Sequence, residues 1–530
     1  MPSQDVRHAL ERIEDLLGKR ESRAAEHAAR ILLLAQPDHH DGLVLLGHAL
    51  RLQGHINEAL GAARKAHSLA PDQPSSRMLI ADVLLEQGDR IGAQALLQTL
   101  AVEGAAYPPS LLQDVAQRFT MLGLHVDAER CHARALKQQP DNPQFVYNHA
   151  TSLIALGRMV AAEAAIDRVI VLKPDDGDAW YNRATLRKQT PEHNHVEAIQ
   201  ARLAKTPTQS SQRVALGYAL AKECEDLHEY PRSFAALKQA ADLRRSQLRY
   251  RVEDDIETMR LIAAAFDDAF FARGRRGHDD ARPLFIVGLP RSGTTLVDRI
   301  LSSHTAISSR GETSDFVMAL VRQAGKVANK AELVRRSTTL DFADLGRAYC
   351  ANLSDSSARH QIDKTPVNFL YLGLITAALP NARIIHLRRN PMDACYAMYK
   401  TLFRMAYPFS YDLVDLARYW IAYDALMKHW KQMLAPSQFV DISYEDLVAD
   451  QHGVSHQLID FVGLPWQDAC LAFERNPEPT LTASAAQVRQ PIYASSVALW
   501  RRYENELAPL RAAFDAAGVV IEAPVTGATP

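Results

Sequence analysis

Two patterns of apolar and polar positions divide this chain. In the second half, short apolar runs alternate with segments of helical spacing. Leu284, Phe285, Ile286 and Val287 form an unbroken apolar run that includes β-branched Ile286 and Val287, as suits a strand buried on both faces. Gly288, Pro290, Ser292 and Gly293 then predict a tight turn. Thr294 opens a helix in which Leu296, Val297, Ile300 and Leu301 recur at helical spacing. Residues 382–387 and 438–442 read as two further strands, separated by helical segments that include 367–379 and 413–433. Such alternation predicts an α/β domain with a central parallel sheet, whose ligands gather beyond the carboxyl ends of the strands.

The first half is helical and repeats. Gly54, Gly88, Gly123 and Gly157 are spaced by 34, 35 and 34 residues, and five residues after each lies an alanine: Ala59, Ala93, Ala128 and Ala162. Pro37 and Pro71, and again Pro140 and Pro174, are 34 apart. This period, from about residue 22 to 186, resembles the tetratricopeptide repeat family, arrays of antiparallel helix pairs. On that reading the small residues sit where paired helices cross closely, and the prolines end the second helix of each pair. The third junction, Gly104-Ala-Ala-Tyr-Pro-Pro109, is degenerate. The resemblance implies an all-α solenoid whose concave face holds a peptide or partner protein. Tyr147, Asn148, Tyr181, Asn182 and Arg183 are candidates for its inner face. From 191 to 275 the chain stays helical without the period. Residues 216–221 followed by 233–240 read as a divergent further pair, and 243–255 as a solvated helix face. The polar, glycine-broken stretch 272–280 marks a boundary. The expected organisation is a repeat domain over 1–190, a helical extension and linker over 191–280, the α/β domain over 281–522, and a disordered tail over 523–530.

Composition changes this picture little. With 530 residues, 47% of them apolar and 23% charged, the chain has material for two or three globular domains. A net charge of −2 gives no global attraction to nucleic acid or to an anionic membrane. No run approaches the roughly 18 apolar residues of a membrane span. The N-terminus lacks a secretory apolar segment, so a cytoplasmic location is expected. Cys131, Cys224, Cys350, Cys395 and Cys470 are scattered without paired spacing. That pattern suits a reducing compartment and argues against a disulfide framework or a zinc site.

The turn after the first strand carries the chemistry. Strand, glycine loop and helix N-terminus make an anion site, because unpaired backbone N–H groups and the positive end of the helix dipole converge there. Gly288 and Gly293 have the spacing of a triphosphate-binding loop, but Thr294 stands where that loop needs a lysine. The positive charge lies inside the turn instead, at Arg291. The loop is therefore expected to cradle a phosphate without being built for a magnesium-bound triphosphate. Arg388 and Arg389 follow the second strand read above, before Asn390-Pro-Met-Asp393 starts a helix. Two guanidinium forks at a strand end suit a second phosphate. Two such sites on one sheet edge point to a nucleotide carrying phosphate groups at two ends.

With these residues in place, 282–515 resembles the sulfotransferases, and within them the protein-tyrosine sulfotransferase-like branch. Pro290-Arg-Ser-Gly-Thr-Thr-Leu296 is similar to the family's 5′-phosphosulfate loop, and Leu387-Arg-Arg-Asn-Pro-Met-Asp393 to its 3′-phosphate motif. The resemblance implies a P-loop-like domain that uses 3′-phosphoadenosine-5′-phosphosulfate as donor, releases the desulfated bisphosphate and requires no metal. It implies that Arg291, Ser292, Gly293, Thr294 and Thr295 hold the 5′ phosphosulfate and Arg389 the 3′ phosphate, with Tyr444 and Ser484 as further nucleotide contacts. It also implies Glu312, 17 residues beyond Thr295, as the catalytic base and Lys364 as the cation at the leaving group. Sulfuryl transfer needs in-line geometry and stabilisation of charge on the leaving oxygen. Arg291, Lys364, Thr294, Thr295 and the loop N–H groups are suited to supply it. The acceptor implied is protein or peptide tyrosine. A phenol, with a pKa near about 10, yields its proton readily enough for one positioned carboxylate to serve.

Tyr396, Tyr399, Phe403, Tyr407 and Phe409 are candidates to line the acceptor pocket. The chain departs from the family pattern at two positions. Ala397 stands where a serine is expected eight residues after Arg389, and Leu499 where a basic residue should precede Trp500, with Arg501 just beyond. Three other readings stay open: a carbohydrate, lipid or small-phenol acceptor; a P-loop kinase or ATPase; and a repeat scaffold with an inactive nucleotide-binding domain. The absent lysine at 294 weighs against the second, and the presence of Arg291, Glu312 and Lys364 against the third.

Overall fold

The computed structural model describes residues 3–102, 106–274, 277–353, 357–476, 478–479 and 487–521. Ser484, the tail 523–530 and residues 103–105 of the third junction lie outside the described residues. Two compact units meet in sequence between Gln139 and Pro140.

The first unit is built of helix pairs: His40–Leu52 with Ile56–Leu69, Pro74–Gln87 with Arg90–Leu100, and Pro109–Met121 with His125–Gln138. Its repeat glycines do not mark close helix crossings, as the sequence suggested. Gly54, Gly88 and Gly123, like Gly157 in the second unit, have φ between +74° and +81°. They end the first helix of each pair in a left-handed turn, after which the chain bonds back, as in His55 N–H to Leu50 O at 2.9 Å and Asp89 N–H to Leu84 O at 2.8 Å. A Cβ at Gly54 or Gly123 would meet open space, so conformation and not crowding selects glycine there. The alanines do the close packing: Ala59, Ala93, Ala128 and Ala162 are fully buried.

The second unit begins with the pair Pro143–Ala155 and Met159–Leu172, followed by Gly177–Thr185 and Val196–Lys205. Ser211–Asp226 and Tyr230–Ser246 form the expected divergent pair. Here a glycine does permit close approach, since a Cβ on Gly217 would lie 2.7 Å from that of Ala240. Residues 243–255 are not a single solvated face. One helix ends at Ser246 and another runs Val252–Ala265, while Arg245 pairs with Asp415 at 2.9 Å. The partner that draws this arginine inward lies 170 residues away.

Five strands form one parallel sheet: β1 (Pro283–Gly288), β2 (Ile307–Ser309), β3 (His360–Asp363), β4 (Arg383–Arg388) and β5 (Phe439–Ser443), in the order β2-β3-β1-β4-β5. Leu284 and Ile286 pack on one face with Val297, Ile300, Ile385 and Leu458. Phe285 and Val287 pack on the other with Tyr349, Phe369, Ile384 and Trp430. Covering on both faces is why β1 is apolar at every position. The segment expected as a helix over 367–379 tightens into a 3₁₀ stretch, Pro366–Tyr371, before Leu372–Ala378. There Trp430 Nε1–H donates to Phe369 O at 2.9 Å, occupying a carbonyl at this tightened turn. From β1 the chain turns toward β2 and from β4 toward β5. The loops after β1 and β4 therefore meet at the topological switch point, where open α/β sheets bind ligands. All five cysteines are free and buried. No described helix is long and apolar enough to cross a membrane.

Candidate active site

The loop after β1 leads into the helix Thr294–Ser302. The Ser292 hydroxyl donates to Leu289 O at 2.7 Å and fixes the turn. Arg291 sits at φ +66°, a conformation that costs a side-chain-bearing residue roughly 1–3 kcal/mol and persists only where its surroundings enforce it. Gly293 has two reasons to be glycine. Its φ is +104°, and a Cβ there would lie 2.6 Å from the Tyr444 ring. The helix that follows has no side-chain cap, which leaves its first N–H groups to an anion. Thr294 and Thr295 are buried at its start. Desolvation draws the Arg291 guanidinium below its ordinary range, and the like charge of Arg389 acts the same way.

Arg389 follows β4. It donates to Arg291 O at 2.8 Å and to Ser496 O at 2.6 Å, and its guanidinium carbon lies 4.7 Å from the centre of the Tyr444 ring. Its Nε is buried without a hydrogen-bond partner among the described residues. Arg388 points elsewhere, to Asp441 at 3.8 Å, so only one arginine of the pair lines the cleft. Burial acts to raise Asp441, but His386, with Arg388 and Lys431, holds it at about 2. Asn390 caps the helix Pro391–Tyr399, accepting from the N–H groups of Met392 at 3.0 Å and Asp393 at 3.3 Å. The Asp393 carboxylate accepts in turn from Ala498 N–H at 2.6 Å and Trp500 N–H at 3.1 Å, folding residues 494–503 over the site. The result is a cleft lined by Arg291, Gly293, Thr295, Arg389, Tyr444 and Leu499, among others.

Glu312 and Lys364 come together beyond β2 and β3. Lys364 is fully buried, and its Nζ lies 2.6 Å from Oε1 of Glu312, whose side chain is 46% exposed. Lys364 N–H donates to Gly311 O at 2.9 Å, so the two loops are joined through backbone as well. Asp363 organises them. Its carboxylate accepts from the Thr313 hydroxyl at 2.9 Å and Asn368 Nδ2 at 3.3 Å, and lies 2.7 Å from the Thr365 hydroxyl. Burial pushes that carboxyl up despite the hydroxyl groups around it. The β1–β3 register pairs Phe285 with Asp363, which places Lys364 at the same sheet edge as the loop after β1.

Of the residues named from sequence, Arg291, Gly293, Thr295, Arg389 and Tyr444 line one cleft. Ser292 turns its hydroxyl back into the loop. Leu499 lines the cleft wall, whereas Arg501 lies over the Trp500 ring at 5.2 Å. Tyr396 belongs to this cleft, and Tyr399 is buried against Phe234. Phe403, Tyr407 and Phe409 form a chain of ring contacts. Burial, with the Glu312 carboxylate adding to it, holds the Tyr407 phenol above its usual range. Sequence reasoning set Tyr181 on the inner face of the repeats and missed Asp178; both brace this loop, the Tyr181 hydroxyl accepting from Leu402 N–H at 3.1 Å and Asp178 pairing with Arg404 at 2.9 Å. It also gave no role to Lys400, which lines the cleft. Only the position of Lys400, one turn beyond Ala397, could have signalled it.

Comparison with known proteins finds two families in this chain. Residues 283–468 match the sulfotransferase family, and residues 10–74 and 125–179 match the tetratricopeptide repeat. The chain therefore carries tetratricopeptide repeats followed by a sulfotransferase-family domain. It is 30% identical over 328 residues to an uncharacterized protein of Aquifex aeolicus (strain VF5), a match covering 59% of this chain and 43% of that one. The chain thus spans less than half the length of that relative. It is 23% identical over 234 residues to protein-tyrosine sulfotransferase 2 of Gallus gallus, covering 41% of this chain and 62% of the relative. Among solved structures, the sulfotransferase domain from the Synechococcus PCC 7002 olefin synthase matches at 18% identity with a TM-score of 0.27, over 43% of this chain and 97% of that one.

Proposed function

We propose that this protein moves the sulfuryl group of 3′-phosphoadenosine-5′-phosphosulfate to an acceptor hydroxyl, most specifically the phenol of a peptide or protein tyrosine. The observation that carries the reading is the Lys364–Glu312 pair, 2.6 Å apart, at the edge of the sheet that also bears the Arg291 loop. The cleft suits a nucleotide with two anionic ends. Its loop has a glycine at 293 where a Cβ would strike Tyr444, and Arg389 keeps a buried Nε without a hydrogen-bond partner among the described residues. Arg291, Ser292, Gly293, Thr294 and Thr295 would hold the 5′ end, and Arg389, with Tyr444 beneath it, the 3′ phosphate.

The donor supplies a sulfur atom open to attack. Glu312, reachable from solvent, takes the proton as the acceptor oxygen bonds to sulfur. The bond from sulfur to the nucleotide's phosphate oxygen breaks, and the charge left on that oxygen is met by Lys364, Arg291 and the loop N–H groups. Buried Lys364 is held to one place by its pair with Glu312, so the cation needs no reorganisation as charge develops. Tyr407, whose phenol feels the Glu312 charge, is assigned to the acceptor side. The tyrosine preference draws support from the likeness to the Gallus gallus protein, which is named for that substrate. A repeat array able to hold peptides fits the same acceptor.

The test is release of adenosine 3′,5′-bisphosphate by the full chain, given the donor and a panel of phenols, tyrosine peptides and sugars. A parallel reaction with magnesium and ATP serves as the control. Release that depends on a phenolic acceptor supports the proposal. ATP turnover would favour the kinase reading, and bisphosphate binding without transfer to any acceptor would favour the inactive scaffold.

A further inference from the structure

Lys400 caps the C-terminal end of the helix Pro391–Tyr399, one turn beyond Ala397, and both residues line the cleft. We infer that Lys400 takes over the work of the absent serine at 397 and reads the 3′-phosphate of the nucleotide, with Glu225 as the carboxylate that positions it; this assignment rests on the donor proposed above.

The cleft's own inventory leads to this lysine. Among the described residues its lining contains three cations, Arg291, Arg389 and Lys400. Arg291 belongs to the loop at the opposite, 5′ end. Arg389 already spends two donors on the carbonyls of Arg291 and Ser496. Asp393, in the same wall, has its carboxylate taken up by the N–H groups of Ala498 and Trp500 and offers a phosphate only like charge. Neither Ala397 nor Leu499 provides a donor. A phosphate resting on Arg389 therefore needs a second cation, and Lys400 is placed to be it.

Lys400 is also held in readiness. Its Nζ lies 2.5 Å from Glu225 Oε1 and 5.2 Å from the centre of the Tyr396 ring. An ammonium has three donors, of which this carboxylate takes one. Oε2 of Glu225 accepts from the hydroxyls of Tyr396 at 2.6 Å and Tyr503 at 3.0 Å. Burial acts to raise Glu225, but Lys400 and the two phenols outweigh it and keep the carboxylate ionised. Ala397 carries only a methyl group, and it and Lys400 share the cleft wall. Glu225 sits on the helix Ser211–Asp226, so the helical segment before the sheet contributes to the nucleotide site.

The experiment compares binding of adenosine 3′,5′-bisphosphate and adenosine 5′-phosphate to the full chain by titration calorimetry. Wild type, Lys400→Met and Lys400→Arg are measured together. Wild type should prefer the bisphosphate. Lys400→Met should weaken the bisphosphate about 10- to 100-fold, the worth of a charge-assisted hydrogen bond, and leave the 5′-monophosphate within about twofold. Lys400→Arg should recover most of the preference. A purely structural tie between helices would weaken both nucleotides alike. Equal weakening, or an unchanged preference, in Lys400→Met overturns the assignment of Lys400 alone. A wild-type chain that shows no preference for the bisphosphate overturns the donor reading and this assignment with it.

Discussion

Glutamine at position 312 tests the proposed chemistry while disturbing the fold least. In the wild type, buried Lys364 lies 2.6 Å from a Glu312 side chain that is 46% exposed. Glutamine keeps a carbonyl oxygen to accept the same hydrogen bond but cannot take a proton. Two magnitudes then separate the possible roles. Lys364 is fully buried, so neutralising its partner while glutamine keeps the hydrogen bond costs about 1–3 kcal/mol of stability. Burial raises the Asp298 carboxyl, while the Lys364 charge acts to lower it. The melting temperature of Glu312→Gln should therefore fall by no more than about 10 °C. A general base contributes about 10²–10⁴ in rate, or about 3–5 kcal/mol of barrier. Initial rates at saturating donor should fall by that factor, with affinity for adenosine 3′,5′-bisphosphate within about twofold of wild type. Turnover within about threefold of wild type would refute the base assignment. So would a loss of nucleotide affinity that matched the loss of rate, because Glu312 would then be acting through binding.

Three further outcomes follow from the same geometry. Arg291→Ala should weaken bisphosphate binding and transfer together, each by at least about tenfold, as read by calorimetry and by initial rates. Gly293→Ala should lower nucleotide affinity by more than Gly54→Ala does, because its Cβ meets the Tyr444 ring as well as an unfavourable φ; equal affinities in the two variants would contradict the cradle. Asp441 is held at about 2, below the ordinary 3.8, so its contribution to stability is present above pH ~4 and is lost as pH falls through about 2. Allowing for solvent screening, Asp441→Asn should cost about 1–2 kcal/mol at pH 7 in denaturant unfolding, and the gap from wild type should close between pH ~4 and pH ~2.

The parts of this molecule that the sequence announces are those fixed by local pattern. β1, β4, β5 and the helix Leu413–Met433 are apolar in the periodicity of their burial, and the loop after β1 carries its own glycines. β2 and β3 escape such reading for a physical reason. β2 has three residues, and β3 is His360, Gln361, Ile362 and Asp363, three of them polar and all buried. Their burial is made tolerable by distant partners. His360 lies 3.1 Å from Ala281 O and 3.0 Å from Val462 O, and Asp363 collects the hydroxyls of Thr313 and Thr365. No window of sequence contains those contacts. The repeat period was legible, but the reason for its glycines was not, since a left-handed turn and a close crossing select the same residue. The Arg291 and Arg389 motifs were legible through spacing and chemistry. Glu225 and Lys400, 175 residues apart and joined only in the fold, were not.

The most direct measurement supplies the full chain with 3′-phosphoadenosine-5′-phosphosulfate bearing labelled sulfur and a lysate of potential acceptors, then identifies the labelled product. The account predicts label on tyrosine oxygen in protein, with one adenosine 3′,5′-bisphosphate released per sulfate transferred, and loss of both signals in Glu312→Gln. Label on a sugar or lipid would retain sulfuryl transfer but contradict the tyrosine assignment. No labelled product, from a chain that binds the bisphosphate, would contradict the central claim that the Arg291 loop, Lys364 and Glu312 form a working transfer site.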